Sequence, residues 1–339
     1  MPRWKLLALV CFMATFGCAH APAQDFYQGK TITITTGFGT GGGFDNYMRL
    51  VAQFLGNHIP GHPIIKPVNR PGAGGRTDAN LVYAADPKDG TFISLLAPWM
   101  VTDPLIEAQG ANFDPTKFNW LVSAAQDVST CMFWKRTGIS TWADLMKKGE
   151  VTVGSTGPSA VPTTDALLLN EVFGTKIRVV QGYKSTNEVF LAAERGELDG
   201  SCGMWVSSVT SSFLGPISSG QASVVVQLGT WRHPTFPNAT HILEDLKPSA
   251  EDTRFIKVVL AQLDMARPFI APPGVPADRV AILRKAFESM LQDPAFLAVA
   301  KQRNLEVKPV SGERIQQMIA DIYATPKPIV ERVKKIIGN

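Results

Sequence analysis

The first strand of this chain is followed by a run of glycines that constrains the fold more than any other segment. Residues 30–36 are rich in β-branched side chains, with Ile32 and Ile34 on one face, and this pattern predicts a strand. From residue 45 to Leu55, apolar side chains recur at helical spacing. Between the two segments, five glycines within residues 37–43 leave backbone N–H groups uncovered where the helix begins. Together with the positive end of the helix dipole, these groups predict an anion-binding loop.

The N-terminal residues have the pattern of a secretory signal peptide. Two basic residues precede an apolar stretch over residues 6–16, which is too short to span a membrane, and a small-residue cleavage site ends at Ala23. We therefore expect residues 1–23 to be removed and the mature chain to reach the periplasm. Lipidation at Cys18 is an alternative, although the residues before it fit a lipobox poorly.

The charge balance excludes partners that need a strongly basic surface. Arg3 and Lys5 lie in the signal peptide, so the remaining residues carry 31 of the 33 Lys and Arg residues against 29 acidic ones. A net charge this close to neutral provides no basic field for nucleic acid or for an anionic membrane.

Two of the four cysteines, Cys131 and Cys202, lie beyond the signal peptide. An oxidising compartment would allow them to form a disulfide. Two buried thiols are the alternative, because free cysteine is a common buried residue.

Strand and helix patterns alternate twice along the chain and predict an α/β protein with two lobes. In each lobe we expect a sheet flanked by helices. Apolar residues over 258–270 are interpreted as a strand that returns the chain to the first lobe. The predicted first lobe is therefore discontinuous, with residues 24–125 and 258–339, and the second lobe comprises residues 126–257. A ligand cleft is expected between the lobes.

Three loops of small residues each follow a strand and open a helix: 37–43, 69–75 and 154–160. Ligands of open α/β sheets bind at the carboxyl ends of strands. Because the first and third loops belong to different lobes, we expect them to face one another across the cleft. For the loop 69–75 we favour a simpler explanation, in which glycine only permits a tight turn.

Five aromatic residues lie near the ends of the predicted strands: Phe38, Phe44, Trp99, Tyr183 and Trp205. They would either line the ligand pocket or belong to the core.

Other chemistries lack essential residues. Gly37-x-Gly39-x-x-Gly42 matches the dinucleotide fingerprint formally, but the second strand ends in Asn69-Arg70 rather than in the acidic residue that holds the ribose. No Lys-Ser/Thr pair follows these glycines, and no His or Cys spacing suggests a metal site. The loop at Ser155 lacks both the Gly-x-Ser-x-Gly motif and a histidine base. We therefore expect no enzyme activity, no cofactor and no metal.

Seven motifs, in their order along the chain, resemble the substrate-binding proteins of tripartite tricarboxylate transporters, the TctC or Bug family. They are the two glycine loops at 37–45 and 69–75, Asp86-Pro-Lys-Asp-Gly90, Gly154-Ser-x-Gly157, Gly182-Tyr-Lys184, Gly196-Glu-Leu-Asp199 and Ala271-Pro-Pro-Gly-Val-Pro276. The resemblance covers the chain from about residue 26 to its end.

This resemblance implies a periplasmic binding protein fold of the type II-like class. It also implies an exported, monomeric receptor that captures a small organic carboxylate between its lobes and delivers it to the membrane subunits of a transporter. In the family, backbone amides hold the carboxylate. The corresponding residues here are Gly41, Gly42, Gly43 and Asp45 in the first lobe and Ser155, Thr156, Gly157 and Ser159 in the second. A carboxylate sensor that feeds a signalling partner is the alternative function, and an exported hydrolase is a more distant one.

The chain departs from the common family pattern at the loops where substrate identity is decided, including Thr40, Phe44 and the bulky residues before Trp99. The predicted pocket has few charged side chains, chiefly Asp45 and Lys184, so each additional ligand charge would lack a partner. We therefore predict a mono- or dicarboxylate, aromatic ones included, in preference to citrate.

Overall fold

The computed structural model describes residues 26–337, apart from residues 42, 158–159 and 184–185. The predicted features that lie outside the described residues are the signal peptide over 1–23, Cys18, Gly42, Ser159 and Lys184. Among the helices described, none is both long and apolar enough to cross a membrane.

The described residues form strands and helices that alternate along most of the chain. The strands are β1 (Thr31–Thr36), β2 (Ile64–Asn69), β3 (Phe92–Leu95), β4 (Asn119–Ser123), β5 (Ser129–Trp134), β6 (Val151–Ser155), β7 (Ile177–Gln181), β8 (Gly200–Trp205), β9 (Ala222–Leu228), β10 (Thr240–His241), β11 (Pro268–Ala271) and β12 (Val310–Ser311). The helices are α1 (Gly43–His58), α2 (Arg76–Ala84), α3 (Trp142–Lys147), α4 (Val161–Phe173), α5 (Thr186–Arg195), α6 (Val206–Ser208), α7 (Leu214–Ser218), α8 (Ala250–Asp264), α9 (Ala277–Leu291), α10 (Pro294–Gln302), α11 (Gly312–Tyr323) and α12 (Lys327–Ile337). A π-helical turn (Val209–Phe213) joins α6 to α7.

The first sheet has the strand order β12-β4-β11-β3-β1-β2. Strand β1 lies in the middle of a parallel trio and pairs with β2 and β3, as the alternating sequence pattern predicts. Strand β11 returns from much later in the chain and runs antiparallel to both β3 and β4. The carboxyl ends of β1, β2 and β3 therefore lie at one edge of the sheet, where their loops meet.

The second sheet has the order β10-β9-β5-β8-β6-β7 and mixes parallel with antiparallel pairs. Strand β6 is parallel to β7 and β8, whereas β5 is antiparallel to β8 and β9. A disulfide joins Cys131 of β5 to Cys202 of β8, and the Cα atoms of the two cysteines are 4.0 Å apart. The pair is fully buried and ties the two strands together across the sheet.

Helices cover the sheets through their apolar faces. Helix α1 buries Leu50, Val51 and Leu55 against the first sheet, where Ile32 and Ile34 are fully buried. Burial of each such side chain contributes roughly 1.5–3 kcal/mol, before the entropy cost of folding is subtracted. This packing fixes the N-terminus of α1 at the sheet edge that carries the glycine loop.

The chain passes between the two sheets at paired backbone segments. Residues 124–127 run alongside residues 263–267: the Asp127 amide donates to the Leu263 carbonyl at 2.9 Å, and the Ala266 amide donates to the Ala125 carbonyl at 3.0 Å. Two hydrogen-bonded crossings make a narrow connection between the sheets, and such a connection can act as a hinge.

The interpretation of residues 258–270 as one strand is wrong. The structure has helix α8 up to Asp264 and a short strand, β11, from Pro268. Residues 258–263 of α8 are buried throughout, so their apolar run shows no exposed face that would reveal a helical period. The helix begins at Ser249, whose hydroxyl accepts a hydrogen bond from the Asp252 amide.

Helix α12 packs against α8 and α4, the latter a neighbour of the second sheet. Arg332 of α12 makes ion pairs with Asp252 at 2.9 Å and with Glu171 of α4 at 3.7 Å. The predicted lobe boundaries, 24–125 with 258–339 and 126–257, stay a prediction. Helix α12 contacts elements beside both sheets.

Candidate functional site

A cleft of about 1110 Å³ lies between the edges of the two sheets. Its wall on the side of the first sheet comes from the loops that follow β2 and β3. The opposite wall comes from the segments that follow β6 and β8, and α8 and α12 close one end. Residues that line the cleft include Ala73, Gly74, Arg76, Trp99, Asp103, Glu107, Thr156, Trp205, Gln262 and Lys334.

The glycine loop that follows β2 forms part of the cleft wall through Ala73, Gly74 and Arg76. Ala73, Gly74 and Gly75 are three successive residues in left-handed backbone conformation, with φ values of 47°, 64° and 101°. Such strain in a non-glycine residue like Ala73 is often found at functional positions. The sequence favoured a turn-forming role alone for this loop, and its position in the wall is a finding of the structure.

The first glycine loop packs behind that wall rather than in it. A side chain at Gly37 would place its Cβ atom 2.5 Å from the Cα atom of Gly75, so this position requires glycine for close approach of the two loops. Phe38 in turn packs against Gly75 and against Trp99, whose indole N–H donates to the Gly74 carbonyl at 3.3 Å.

Asp45 organises the first glycine loop. Its carboxylate accepts hydrogen bonds from the Gly41 amide at 2.8 Å, the Asn69 side chain at 2.9 Å and Arg49 Nε at 2.9 Å. Asn69 also donates to the Phe38 carbonyl. Burial opposes ionisation, but the hydrogen bonds from Arg49, Gly41 and Asn69 prevail and lower the pKa of Asp45. The Gly41 amide, predicted as a ligand donor, is therefore bonded to Asp45.

The loop after β6 is also internally bonded. The buried Ser155 hydroxyl lies 2.8 Å from the Thr163 hydroxyl and accepts from the Gly157 amide at 3.3 Å. Thr163 donates to the Gly157 carbonyl at 2.7 Å. Ser155 therefore shapes this loop, and the exposed Thr156 is its member that lines the cleft.

Aromatic rings surround a guanidinium beside the cleft. Phe38 and Phe44 stack at 4.4 Å between ring centroids, and Phe44 meets Trp99 edge to face at 6.0 Å. Arg267, on the crossing segment before β11, lies over Phe44 at 4.7 Å and over Trp205 at 5.0 Å. We call Phe44, Tyr47, Trp205 and Arg267 the arginine cluster. It joins the first sheet's helix α1 to the end of β8 in the second sheet.

Two charged pairs lie on the cleft wall. Arg76 Nε donates to Asp103 Oδ2 at 2.6 Å, and Lys334 of α12 pairs with Glu107. Burial raises the pKa of Asp103 despite the hydrogen bond from Arg76. Gln262 of α8 also lines the cleft, and its buried Oε1 atom has no hydrogen-bond partner among the described residues.

The predicted site residues therefore separate into groups. Three of them line the cleft: Trp99, Thr156 and Trp205. Phe38, Gly41 and Asp45 support the first glycine loop, and Gly43 lies beside Arg267. Ser155 and Gly157 hold the loop after β6, whereas Tyr183 packs against the core of the second sheet.

Sequence reasoning missed Arg76, Gln262, Arg267 and Lys334. Arg76 directly follows a glycine loop at the start of α2. This position could have marked it as a candidate site residue. The other three come from segments more than 200 residues after the first glycine loop, and no local pattern marks them. In the described part of the chain, no group of three His, Cys, Asp or Glu residues is arranged to hold a metal ion.

Comparison with known proteins agrees with this architecture. No family model matches the chain. A curated relative, a UPF0065 protein of Agrobacterium vitis, is 26% identical over 328 residues, which cover 94% of this chain and 87% of that protein.

Solved structures share the fold across almost the whole chain. A TctC solute-binding protein from Polaromonas superimposes with a TM-score of 0.69 at 17% identity, over 92% of this chain and 99% of that one. The periplasmic binding protein BugD does so with a TM-score of 0.63 at 20% identity, over 91% and 98%. An R. palustris protein solved with adipate has a TM-score of 0.63 at 18% identity, over 91% and 98%.

The two mixed sheets flanked by helices are those of solute-binding proteins, as the sequence predicts. The resemblance to the TctC and Bug proteins is therefore confirmed, and this chain has their fold.

Proposed function

We propose that this chain is an exported solute-binding receptor that captures a small organic carboxylate in the cleft between its sheets. The observation that carries the proposal is the cleft itself, because it lies at the carboxyl ends of strands from two sheets between which the chain crosses at paired backbone segments. Ligands of open α/β sheets bind at this edge, and a hinge below it allows the walls to close. The periplasm is its proposed location, and a tripartite transporter its proposed partner.

We propose that Trp99, Thr156 and Trp205 contact the ligand directly. The amides near Gly43 at the start of α1 and the loop 73–76 supply positive backbone dipoles around them. The Asp45 and Ser155 networks keep the first glycine loop and the loop after β6 each in one conformation, so that the donors are arranged before the ligand arrives. Preorganisation of this kind reduces the entropy cost of binding.

The cleft favours a ligand with one or two carboxylates and an apolar body. The cationic side chains that line it in the described part of the chain, Arg76 and Lys334, already have acidic partners, so each additional ligand charge would lack a counter-charge there. Trp99 and Trp205 offer ring faces to an apolar chain or an aromatic ring. The adipate bound by the R. palustris protein belongs to this class of compound, and it supports a dicarboxylate as ligand here.

A ligand screen tests the proposal. The mature chain, from residue 24, would be screened by thermal shift and then by calorimetry against benzoate, succinate, adipate and citrate. A ligand at 100 times its dissociation constant stabilises the native state by about 2.7 kcal/mol, which is readily measured. We expect benzoate, succinate or adipate to bind more tightly than citrate. If none of the four acids binds, the proposal is wrong; if citrate binds best, the ligand class is wrong.

A further inference from the structure

We infer that Arg267 is a specificity-determining residue, whose guanidinium binds one carboxylate of a dicarboxylate ligand. This inference rests on the proposed function, since it deepens the assignment of the same cleft. It adds a charged ligand contact that the sequence did not predict.

The position of Arg267 suits a ligand contact at the junction of the two sheets. The residue is partly exposed and immediately precedes β11 on the crossing segment. Its guanidinium lies 5.0 Å from the rings of both Tyr47 and Trp205, and Trp205 itself lines the cleft. Its Nη2 atom is 3.4 Å from the position that a Cβ atom would take at the exposed Gly43. Arg267 does not itself line the cleft, so a ligand would meet its guanidinium at the place where Trp205, which does line it, lies alongside.

Arg267 has no carboxylate partner among the described residues. Its Nη1 atom donates to the carbonyl of Ala266, and its buried Nε atom has no hydrogen-bond partner. By contrast, Arg76 in the cleft wall is paired with Asp103. A partly buried guanidinium without a counter-ion is costly, because its positive charge is only partly compensated by the surrounding rings.

Asp127 attracts the charge of Arg267 electrostatically, but no hydrogen bond or ion pair joins the two side chains in the described part of the chain. Asp127, on the opposite crossing segment, is buried, and its carboxylate is bonded to the Ser207 hydroxyl and to the Val128 amide at 2.8 Å. Burial raises the pKa of Asp127, and both of its carboxylate oxygens are already hydrogen-bonded, one to Val128 and the other to Ser207. The positive end of the 16-residue helix α1 lies on the other side, next to Gly43. Because Nη2 lies 3.4 Å from the Cβ position of Gly43, no gap separates the two residues, and an anion would contact the guanidinium beside Gly43, where the helix N-terminus also attracts it.

The cleft has a second set of hydrogen-bond donors, away from the arginine cluster. Thr156 and the loop 73–76 lie on facing walls, and Trp99 stands between that loop and Phe44. A ligand with acidic groups at both ends and an apolar middle can therefore pair one carboxylate with Arg267 and present the other to these donors. Its middle would lie against Trp99 and Trp205.

Pairs of isosteric ligands test the inference. Calorimetry on the mature chain would use succinate, glutarate, adipate and pimelate, each with its monoamide, which removes one charge at constant shape. We expect at least one diacid to bind about ten-fold or more tightly than its monoamide, as a charge-assisted bidentate pair would require. In Arg267→Met the diacid should lose about that factor and the preference should disappear, whereas Arg267→Lys should keep part of it.

Controls separate ligand binding from a structural role. Arg195→Met removes an exposed arginine at the end of α5 and should leave both affinities unchanged. Circular dichroism would check that each variant folds, and Arg267→Lys decides the question if Arg267→Met does not fold. Equal losses for diacid and monoamide would mean that Arg267 only joins the lobes, and the inference would be wrong. It would also be wrong if monocarboxylates such as benzoate bound but no diacid did, a result that leaves the proposed function standing.

Discussion

Two aspartates illustrate how burial and hydrogen bonding give similar residues opposite properties. The carboxylate of Asp45 is almost fully buried but accepts hydrogen bonds from Gly41, Arg49 and Asn69. Asp165 of α4 is fully buried, accepts a hydrogen bond from the Ser129 hydroxyl and leaves its Oδ1 atom without a partner among the described residues. The first is therefore stabilised as an anion and the second as a neutral acid.

We predict that Asp45→Ala lowers the free energy of unfolding by about 2 kcal/mol at pH 7, because three donors lose a charged acceptor. Since the folded-state pKa of Asp45 is lowered, its stabilising effect is present above the unfolded pKa and is lost as the pH falls through the folded value. The difference between the variant and the natural chain should therefore shrink below about pH 4. Urea unfolding at several pH values measures it. A difference that does not depend on pH would contradict this account.

Asp165→Asn should have the opposite pH dependence. Desolvation raises the pKa of Asp165 to about 7 from its ordinary value of 3.8, so in the natural chain stability falls as the pH rises between these values. Asparagine resembles the neutral acid and does not ionise. The variant should match the natural chain near pH 4 and exceed it at pH 8, by up to about 4 kcal/mol. Urea unfolding at both pH values checks this, and a constant difference would show that Asp165 does not titrate in this range.

Among the elements, the loops that follow β1, β2 and β3 form one packed unit at the edge of the first sheet. Gly37 touches Gly75, and Phe38 packs on both Gly75 and Trp99. The loop 69–75 therefore reaches the cleft partly because the loop 37–43 lies behind it. Parallel pairing of the three strands brings the loops together.

A matched pair of glycine variants tests this packing. Gly37→Ala places a methyl group 2.5 Å from the Gly75 Cα atom, so the loops must separate, and we expect a loss of about 1–3 kcal/mol in stability together with weaker ligand binding. Gly39→Ala is the control, because a Cβ atom there has no neighbour within 4 Å and the backbone φ is not left-handed. Urea unfolding and calorimetry would compare them. Equal effects of the two variants would refute the packing argument.

At the scale of the whole molecule, the two sheets are linked by crossing segments and by side-chain contacts around the cleft. The crossings at 124–127 and 263–267 are hydrogen-bonded to each other, and the arginine cluster connects α1 to β8 above them. Helix α12 contacts α8 and also α4, which lies beside the second sheet. Its Lys334 pairs with Glu107, which follows β3 of the first sheet. These contacts surround the cleft and would respond to a ligand in it.

We predict that the lobes close on a ligand. Small-angle X-ray scattering of the mature chain should give a smaller radius of gyration at saturation with the tightest-binding carboxylate than in its absence, because a ligand that contacts both walls favours the closed state. A non-binding acid from the same screen is the control. An unchanged radius at saturation would indicate a rigid pocket.

The sequence by itself determined the features that depend on local chain properties. The sequence shows the side-chain periods of β1 and α1, the glycine loops at strand ends and the order of the motifs. It shows them because backbone conformation and side-chain period depend on neighbouring residues. These features were enough to predict two α/β lobes and the resemblance to solute-binding proteins. The buried helix α8 escaped this reasoning because its apolar run has no polar face to reveal its period.

Only the tertiary structure decided which of these local features form the site. It joins Cys131 to Cys202, which confirms the disulfide that the sequence slightly favoured over two buried thiols. It bonds Gly41 to Asp45, brings the loop 69–75 into the cleft wall and places Arg267 among the rings of α1 and β8. Such contacts join residues far apart in the chain, so they depend on how the two sheets pack and where the chain crosses between them, which no short stretch of sequence encodes.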